Sequence, residues 1–156
     1  MLGGRRPTPA DISKLMFCEF VIRESMRLYP PAYVVGRRPI EDITIGGKFI
    51  PAGTNVLMSQ WVVQRDGRWF ADPLAFNPDR WADGLAGRLP KYAYFPFGGG
   101  PRVCIGNAFA MFEATLVLAM VAERFTLELT SEKPIRIRPA VTLRPGEPIL
   151  VNVKAL

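Results

Sequence analysis

One loop restricts the fold of this chain more than any other stretch. Residues 95–110 read FPFGGGPRVCIGNAFA, with three consecutive glycines followed by a proline, an arginine and Cys104. Glycine accepts positive φ angles and allows the backbone to approach another group closely. A helical apolar pattern runs from Asn107 to about Arg124, so Cys104 lies just before a helix N-terminus, where the dipole and free N–H groups favour a thiolate. The loop therefore predicts a thiolate that is either a metal ligand or a nucleophile.

The histidine and cysteine content narrows that choice. The chain has no histidine and two cysteines, Cys18 and Cys104, of which Cys18 falls inside a predicted helix as a small buried side chain. A Cys–His catalytic pair, a Cys–His zinc site and a histidine-ligated haem are excluded, and a four-ligand zinc site would have to include carboxylates. A single thiolate is enough to hold a haem iron. Haem also needs an apolar slot and cations for its propionates, for which the nearby candidates are Phe95, Phe97, Ile105, Phe109 and Arg102.

Residues 97–106, FGGGPRVCIG, resemble the cysteine-ligand loop of the cytochrome P450 family, whose pattern is F-x-x-G-x-R-x-C-x-G. The resemblance implies haem b as cofactor and Cys104 as the iron ligand. It also implies the P450 fold, which is mixed α/β and mainly α in the intact family. For this chain we expect a C-terminal fragment of that fold, with two long helices, short β-hairpins and a meander coil. The matching positions are Phe97, Gly100, Arg102, Cys104 and Gly106.

The resemblance also implies roles for residues around the cysteine. Arg102 is expected to bind a haem propionate. Arg37 resembles a second propionate-binding position, although a surface arginine at a strand end is the alternative interpretation of that residue. Phe97 is expected to pack near the sulfur. The expected cofactor contacts are Phe97, Gly98, Ile105, Gly106, Arg102 and Arg37.

A second motif lies in the N-terminal third of the chain. Glu24 and Arg27 stand three residues apart in a predicted helix that ends at the Tyr-Pro-Pro run 29–31, because a residue before proline avoids the helical region. Their spacing alone fits a surface ion pair worth tenths of a kcal/mol. Their apolar surroundings, however, resemble the family's E-x-x-R helix. The resemblance implies a buried structural cluster in which Arg80, from residues 76–81 (FNPDRW), is the third member.

Local patterns predict the remaining elements. Thr8, Pro9 and Asp11 predict a helix start, with a break near Ser13. Residues 82–94 have no periodicity and are expected to be a meander coil. Gly-Gly at 46–47 predicts a hairpin turn. Strands are expected at 43–45, 48–50, 55–58, 125–129, 136–138, 141–143 and 149–153, with 144–148 as the turn between the last two.

The extended segment after the prolines resembles the part of the family that lines the substrate side of the haem. A later hairpin resembles the segment that reaches back toward the same pocket. Many family members have a histidine where Gln64 stands, before Arg65 and Asp66, so the sequence departs from the family pattern there. The candidate substrate contacts are Tyr33, Val34, Val35, Val141 and Thr142.

Charge and cysteine content limit the partners and the compartment that we expect. The 156 residues carry 20 basic and 14 acidic side chains, a net charge of +6. This charge fits either a solvated surface or a docking face for an acidic electron-transfer protein. Nucleic acid is not an expected partner because the basic residues are scattered and form no nucleic-acid-binding motif. Two cysteines in different contexts do not suggest a disulfide framework, so we expect a reducing compartment and a cytoplasmic, bacterial-type protein, with a membrane anchor outside this sequence left open.

Residues 1–156 are therefore expected to form the C-terminal haem-binding portion of a P450 domain. The sequence contains no A/G-G-x-D/E-T segment of the kind that marks the family's oxygen-activating helix. The resemblance implies a monooxygenase, monomeric when intact, that inserts one oxygen atom from O₂ into a small apolar organic substrate. Its electrons would come from NAD(P)H through a ferredoxin or a flavoprotein reductase. The alternative is a truncated, non-enzymatic haem-binding fragment or an inactive remnant.

Overall fold

Two consecutive helices occupy most of residues 9–28. The computed structural model describes Gly3, Arg5 and residues 7–156. A 3₁₀ helix, Pro9–Lys14, is followed by α1, Met16–Leu28, and Leu15 separates the two, so the predicted break is confirmed close to its expected place. Helix α1 ends because Tyr29, which precedes a proline, leaves the helical region with φ −130° and ψ 63°.

The other helices are unequal in length. Helix α4 forms at the predicted apolar stretch, Asn107–Ala122, and begins three residues after Cys104. Helix α2, Gln60–Val63, and helix α3, Leu85–Arg88, are single turns. The expectation of coil throughout residues 82–94 is wrong at α3, which starts after Gly84 has turned the backbone through a positive φ. Further 3₁₀ turns occupy Pro78–Trp81 and Gly100–Arg102.

The described strands form antiparallel pairs rather than one large sheet. They are β1 Val35–Arg37, β2 Ile43–Ile45, β3 Lys48–Ile50, β4 Val56–Met58, β5 Phe125–Leu129, β6 Ile137–Pro139, β7 Leu143–Pro145 and β8 Val151–Ala155. Strands β1 and β4 pair with Val35 opposite Met58, and β2 and β3 form the predicted hairpin with Ile45 opposite Lys48. Strands β5 and β8 pair from Phe125↔Ala155 to Leu129↔Val151, and they enclose the β6–β7 hairpin in sequence.

The last three strands lie one to two residues later than expected. Strand β7 begins at Leu143, whose N–H donates to the carbonyl of Pro31 at 2.9 Å. The N–H of Gly146 then donates to the carbonyl of Arg136 at 2.8 Å. The carbonyl of Pro31 lies outside the hairpin, and that of Arg136 lies on the opposite side of it. These two bonds fix the position of β7 and leave residues 140–142 as the turn. The expectation of a turn over residues 144–148 is therefore wrong in its first two residues.

The core lies between α1 and the irregular segment that follows α2. Phe70, Trp81 and Leu28 are almost fully buried, and the Trp81 ring lies between Phe70, at 6.4 Å between centroids, and Tyr94, at 4.7 Å. Phe95, at the entry to the cysteine loop, is also buried. The core thus joins the E-x-x-R helix directly to the loop that carries the cysteine.

Helix α4 packs only part of its apolar surface within the described chain. Its buried residues are Thr115 and Ala119, whereas Phe109 is 68% exposed and Val117 is 54% exposed. None of the described helices combines the length and the apolar character needed to cross a bilayer. The architecture is a mixed helix-and-strand unit with an open apolar helix beside the cysteine loop.

Candidate functional site

The cysteine loop and the segment after α1 enclose a cavity of about 270 Å³. The thiol of Cys104 is exposed and faces this space. Six of the residues singled out in the sequence, namely Val35, Arg37, Phe97, Gly98, Arg102 and Cys104, line it together. The rest of the lining is apolar and consists of Met26, Pro31, Ala32 and Pro96.

Backbone hydrogen bonds give the loop its shape. Gly98 has φ +74°, a conformation that disfavours residues with a Cβ, and its N–H donates to the carbonyl of Phe95 at 2.9 Å. The N–H of Cys104 donates to the carbonyl of Phe97 at 3.0 Å, which folds the cysteine back over the start of the loop. The cysteine is therefore held by a local backbone network rather than by an extended chain.

Gly99 is required for a different reason. Its φ of −171° is ordinary extended backbone, but a Cβ at this position would lie 2.4 Å from Cε1 of Tyr92. Tyr92 itself has φ +68°, which is uncommon for a residue with a side chain. The Tyr92 ring thus packs against the glycine backbone at the base of the loop.

Two cations contribute the charge of the cavity wall. Arg37 donates through Nη1 to the carbonyl of Gly36 at 2.8 Å. Within residues 7–156, neither Arg37 nor Arg102 forms a salt bridge with an acidic side chain. Both guanidinium groups are therefore available to an anionic ligand beside the thiol.

Other predicted site residues lie outside this cavity. The Ile105 side chain is fully exposed, and Gly106 adjoins the sulfur, since a Cβ on it would lie 3.9 Å from Sγ of Cys104. The hydroxyl of Tyr33 donates to the carbonyl of Ala140 at 3.1 Å, which brings the extended segment against the β6–β7 turn. That turn carries the other two substrate candidates, Val141 and Thr142. Four of the five candidate substrate contacts therefore lie outside the cavity lining: Tyr33, Val34, Val141 and Thr142.

The three members of the predicted charged cluster lie together in the structure. Glu24 and Arg27 have side chains with no solvent exposure, and Arg27 holds the Glu24 carboxylate with two hydrogen bonds of 2.9 Å. Arg80 donates through Nε to Oε1 of Glu24 at 2.9 Å. The backbone N–H of Asn77 and the indole of Trp81 each donate to the same carboxylate at 3.0 Å.

This environment has opposing effects on the acid. Burial alone raises the pKa of Glu24, whereas hydrogen bonds from Arg27, from the N–H of Asn77 and from Arg80 lower it, and the net pKa lies below the ordinary value of 4.5. The carboxylate is therefore charged at neutral pH. A buried ion pair needs such additional donors to offset desolvation, and the Glu24–Arg27 pair has them, unlike an isolated surface pair.

A family model described as Cytochrome P450 matches residues 1–153 of the chain. The chain belongs to the cytochrome P450 family. It is 41% identical over 146 residues to cyclooctatin synthase of Streptomyces melanosporofaciens, which covers 94% of the chain and 32% of that protein. It is 37% identical over 145 residues to the putative cytochrome P450 132 of Mycobacterium tuberculosis, covering 93% of the chain and 31% of the relative.

A solved structure gives the same family at the level of the fold. The crystal structure of the cytochrome P450DA heme domain superposes on the chain with a TM-score of 0.91 at 27% identity, covering 99% of this chain and 34% of that one. The chain thus spans about a third of the length of the P450 proteins that it matches. Haem is the cofactor that membership of this family implies.

The cavity residues fit a haem by their chemistry. Cys104 offers one exposed sulfur, which suits an iron with a single protein thiolate ligand. Arg37 and Arg102 offer cations for two propionates, and the other walls are apolar. The donor set and the wall polarity therefore match the P450 cofactor.

Sequence reasoning identifies Gln64 only as a departure from the family pattern, and it gives Trp81 no role in the charged cluster. Gln64 is fully buried, and its side chain bonds to the backbone of α1 and of the loop instead of lining the cavity. Trp81 follows Arg80 in the FNPDRW run, and its N–H completes the Glu24 cluster. For Gln64 the available signal is its position two residues before the acidic residue of a Gln-Arg-Asp run, where the family pattern changes.

Proposed function

We propose that residues 1–156 form the C-terminal haem-binding portion of a cytochrome P450 monooxygenase, which inserts one oxygen atom from O₂ into an apolar organic substrate. One observation carries this proposal: the exposed Cys104 thiol opens into an apolar cavity that also contains two arginines without acidic partners among the described residues. Family membership supports the reaction class.

In this proposal Cys104 is the iron ligand. A haem held by the Cys104 thiolate would supply the binding and activation of O₂, a chemistry that a thiolate ligand promotes. Arg37 and Arg102 pair with the propionates, which fixes the orientation of the macrocycle. Phe97 lines the same cavity as Cys104 and would pack near the sulfur.

The loop backbone has its own role. The Phe97 carbonyl accepts the Cys104 N–H at 3.0 Å, and Gly98 allows the turn that brings them together. The sulfur is thereby held before the haem binds, which reduces the ordering that binding requires. On the other side of the cysteine, Ile105 and Gly106 connect Cys104 to the start of α4, and we propose that they also contact the haem.

Substrate contacts belong to two segments that meet in the structure. Val35 lines the cavity, and Tyr33 contacts the β6–β7 turn through the Ala140 carbonyl. We assign Tyr33, Val34 and Val35 to one wall of a substrate pocket and Val141 and Thr142 to the turn beside it. Their largely apolar character fits a small apolar organic substrate.

A P450 monooxygenase needs an external source of electrons. Electrons would reach the site from NAD(P)H through a ferredoxin or a flavoprotein reductase, for which the net charge of +6 suits an acidic partner. We also propose a cytoplasmic location, and the support for it is that Cys18 and Cys104 are both free thiols.

Haem reconstitution tests the site directly. The purified chain is loaded with haem, reduced and exposed to CO, and the expected result is the strongly red-shifted Soret band of a thiolate-ligated iron. Cys104→Ala should abolish that band, whereas the matched thiol variant Cys18→Ala should retain it. Haem binding that is unchanged by Cys104→Ala would overturn the ligand assignment. A thiolate band without turnover of apolar substrates, when a reductase is supplied, would favour the non-enzymatic haem-binding alternative.

A further inference from the structure

Gln64 is a buried side chain with an unusually complete set of partners. It has no solvent exposure. Its Nε2 donates to the carbonyl of Met26 at 3.0 Å and to the carbonyl of Arg27 at 3.2 Å. Its Oε1 accepts the N–H of Phe95 at 2.9 Å, and its own carbonyl accepts Nη1 of Arg27 at 2.9 Å. One residue therefore ties the C-terminal turn of α1 to the first residue of the cysteine loop.

These bonds reach both walls of the cavity. Met26, whose carbonyl Gln64 holds, lines the cavity from the helix side. Phe95 begins the turn closed by the N–H of Gly98, and Phe97 in that turn accepts the N–H of Cys104. The path from Gln64 to the cysteine is thus a short series of backbone hydrogen bonds.

The side-chain amide is chemically suited to this position. It must donate to helix carbonyls on one side and accept a backbone N–H on the other. A carboxylate can only accept, and an apolar side chain would leave the Phe95 N–H buried without a partner. Gln60 is equally buried, but its amide atoms have no partner within the described part of the chain, so burial of a glutamine does not by itself create such a link.

We infer that Gln64 is a positioning residue for the Cys104 loop, which fixes the sulfur relative to the α1 wall of the cavity. The inference rests on the proposed function, because it gives the Cys104 sulfur its role as iron ligand. Gln64 does not line the cavity and acts through Phe95 and the loop backbone.

Two measurements test this inference, and the first needs no haem. Hydrogen exchange of the Phe95 and Cys104 amides is followed in the haem-free chain for the unmodified protein, Gln64→Leu and Gln60→Leu. Gln64→Leu should accelerate exchange at Phe95 roughly three- to tenfold, the effect of losing one buried hydrogen bond. Gln60→Leu removes the same chemical groups but leaves the hydrogen bonds of Gln64 intact, so exchange at Phe95 should be unchanged in that variant.

The second measurement separates positioning from general stability. Among chains that bind haem, the fraction that gives the red-shifted CO band should fall in Gln64→Leu and stay unchanged in Gln60→Leu. Gln64→His retains one donor and one acceptor and should keep most of the band. Should Gln64→Leu not fold, Gln64→Met, which is similar in size but also lacks the amide, replaces it in both comparisons, with the same expected acceleration at Phe95 and the same loss of the CO band.

Clear outcomes would contradict the inference. Equal Phe95 exchange in Gln64→Leu and Gln60→Leu would overturn it, as would an unprotected Phe95 amide in the unmodified chain. An unchanged thiolate fraction in haem-loaded Gln64→Leu would do the same. If the unmodified chain gave no thiolate band, the proposed function would fail, while the exchange comparison would still decide whether Gln64 fixes the loop.

Discussion

The indole N–H of Trp81 donates a hydrogen bond of 3.0 Å to Oε2 of Glu24, and both side chains are almost completely buried. Oε2 also accepts Nε of Arg27, whereas Oε1 accepts donors from Arg27, Arg80 and the backbone of Asn77. A carboxylate without water needs such a full set of donors to remain charged. Trp81 therefore stabilises the ion cluster as well as the aromatic core.

Replacing Trp81 by phenylalanine separates these two contributions. Trp81→Phe keeps an aromatic ring against Phe70 and Tyr94 but removes the N–H that faces Glu24. We expect the free energy of unfolding to fall by about 1.5–3 kcal/mol, the range for a hydrogen bond to a charged group. Urea denaturation followed by circular dichroism measures it.

Trp69 supplies the matched control, since its side chain is 36% exposed and no hydrogen bond of its indole is present among the described residues. Trp69→Phe should change the unfolding free energy by less than about 0.5 kcal/mol. Equal losses for the two substitutions would show that the Trp81–Glu24 hydrogen bond contributes nothing measurable.

Asp11 makes stability depend on acidity. A hydrogen bond from Arg5, together with bonds from the N–H and hydroxyl of Thr8, holds the pKa of Asp11 well below its ordinary value of 3.8. A carboxyl with a lowered folded-state pKa contributes stability above its unfolded pKa, and that contribution disappears as the pH falls through the folded pKa. Stability should therefore decline on acidification below about pH 4.

The comparison with Asp11→Asn isolates this contribution, because Glu24 titrates in both proteins. The urea midpoint of the unmodified chain should fall more steeply than that of Asp11→Asn between about pH 4 and pH 2. Parallel curves over that interval would show that Asp11 gains nothing from Arg5 and Thr8 on folding.

Arg65 forms a clamp after the end of α1. Its guanidinium lies 3.2 Å from the ring centroid of Trp61 and 5.6 Å from that of Tyr29, and it donates to the carbonyls of Leu28 and Trp61. Burial lowers the pKa of Arg65 to about 10, so the group still carries its charge at neutral pH. Arg65→Lys keeps the charge but loses the planar stacking and the forked donors, and should cost about 1–3 kcal/mol of unfolding free energy.

Arg68 provides the control for this substitution. It also lies over a tryptophan, at 5.5 Å from the Trp69 centroid, but its side chain is 75% exposed and pairs with Asp66 at the surface. Arg68→Lys should change stability by less than about 0.5 kcal/mol in a thermal or urea melt. If Arg65→Lys were equally mild, the stacked geometry at the end of α1 would have no energetic importance.

The features predicted correctly from the sequence depend on neighbouring residues. Tyr29 before a proline ends α1, and the Gly46-Gly47 turn joins Ile45 to Lys48 because both glycines adopt positive φ. The apolar run after Asn107 forms α4 for the same local reasons. Strand β7 lies two residues later than its local pattern predicts, because the N–H of Leu143 donates to the carbonyl of Pro31. No local pattern reveals this partner, which is more than a hundred residues away in sequence.

The same distinction holds at the site. The residues around Cys104 could be chosen from one continuous loop, and the family resemblance added Arg37, which the structure places in the same cavity. The family pattern draws attention to Gln64 but does not reveal its contacts, because they involve three backbone groups from two distant segments. Gln64 lies between Val63 and Arg65, so its neighbours do not mark it as buried, and only the packed chain shows which backbone groups it satisfies.

Gly99 and Gly98 should respond differently to the same substitution. A Cβ on Gly99 would lie 2.4 Å from Tyr92, whereas a Cβ on Gly98 would have no heavy atom within 4 Å but would sit on a backbone with φ +74°. Gly99→Ala should therefore cost about 1–3 kcal/mol by displacing the ring. Gly98→Ala should cost about 1–2 kcal/mol through the backbone alone.

Tyr92→Ala distinguishes these two causes. In that background the obstacle to Gly99→Ala is gone, so its cost should fall to less than about 0.5 kcal/mol, while the cost of Gly98→Ala should not change. Urea denaturation of the two double-mutant cycles measures both coupling energies. A Gly99→Ala cost that persists without the Tyr92 ring would place the strain in the loop backbone, and a Gly98→Ala cost that disappears with it would show that φ at Gly98 is set by the ring. The expected pair of results, coupling at Gly99 and none at Gly98, would mean that the loop before Cys104 is shaped by side-chain packing at one glycine and by backbone conformation at its neighbour.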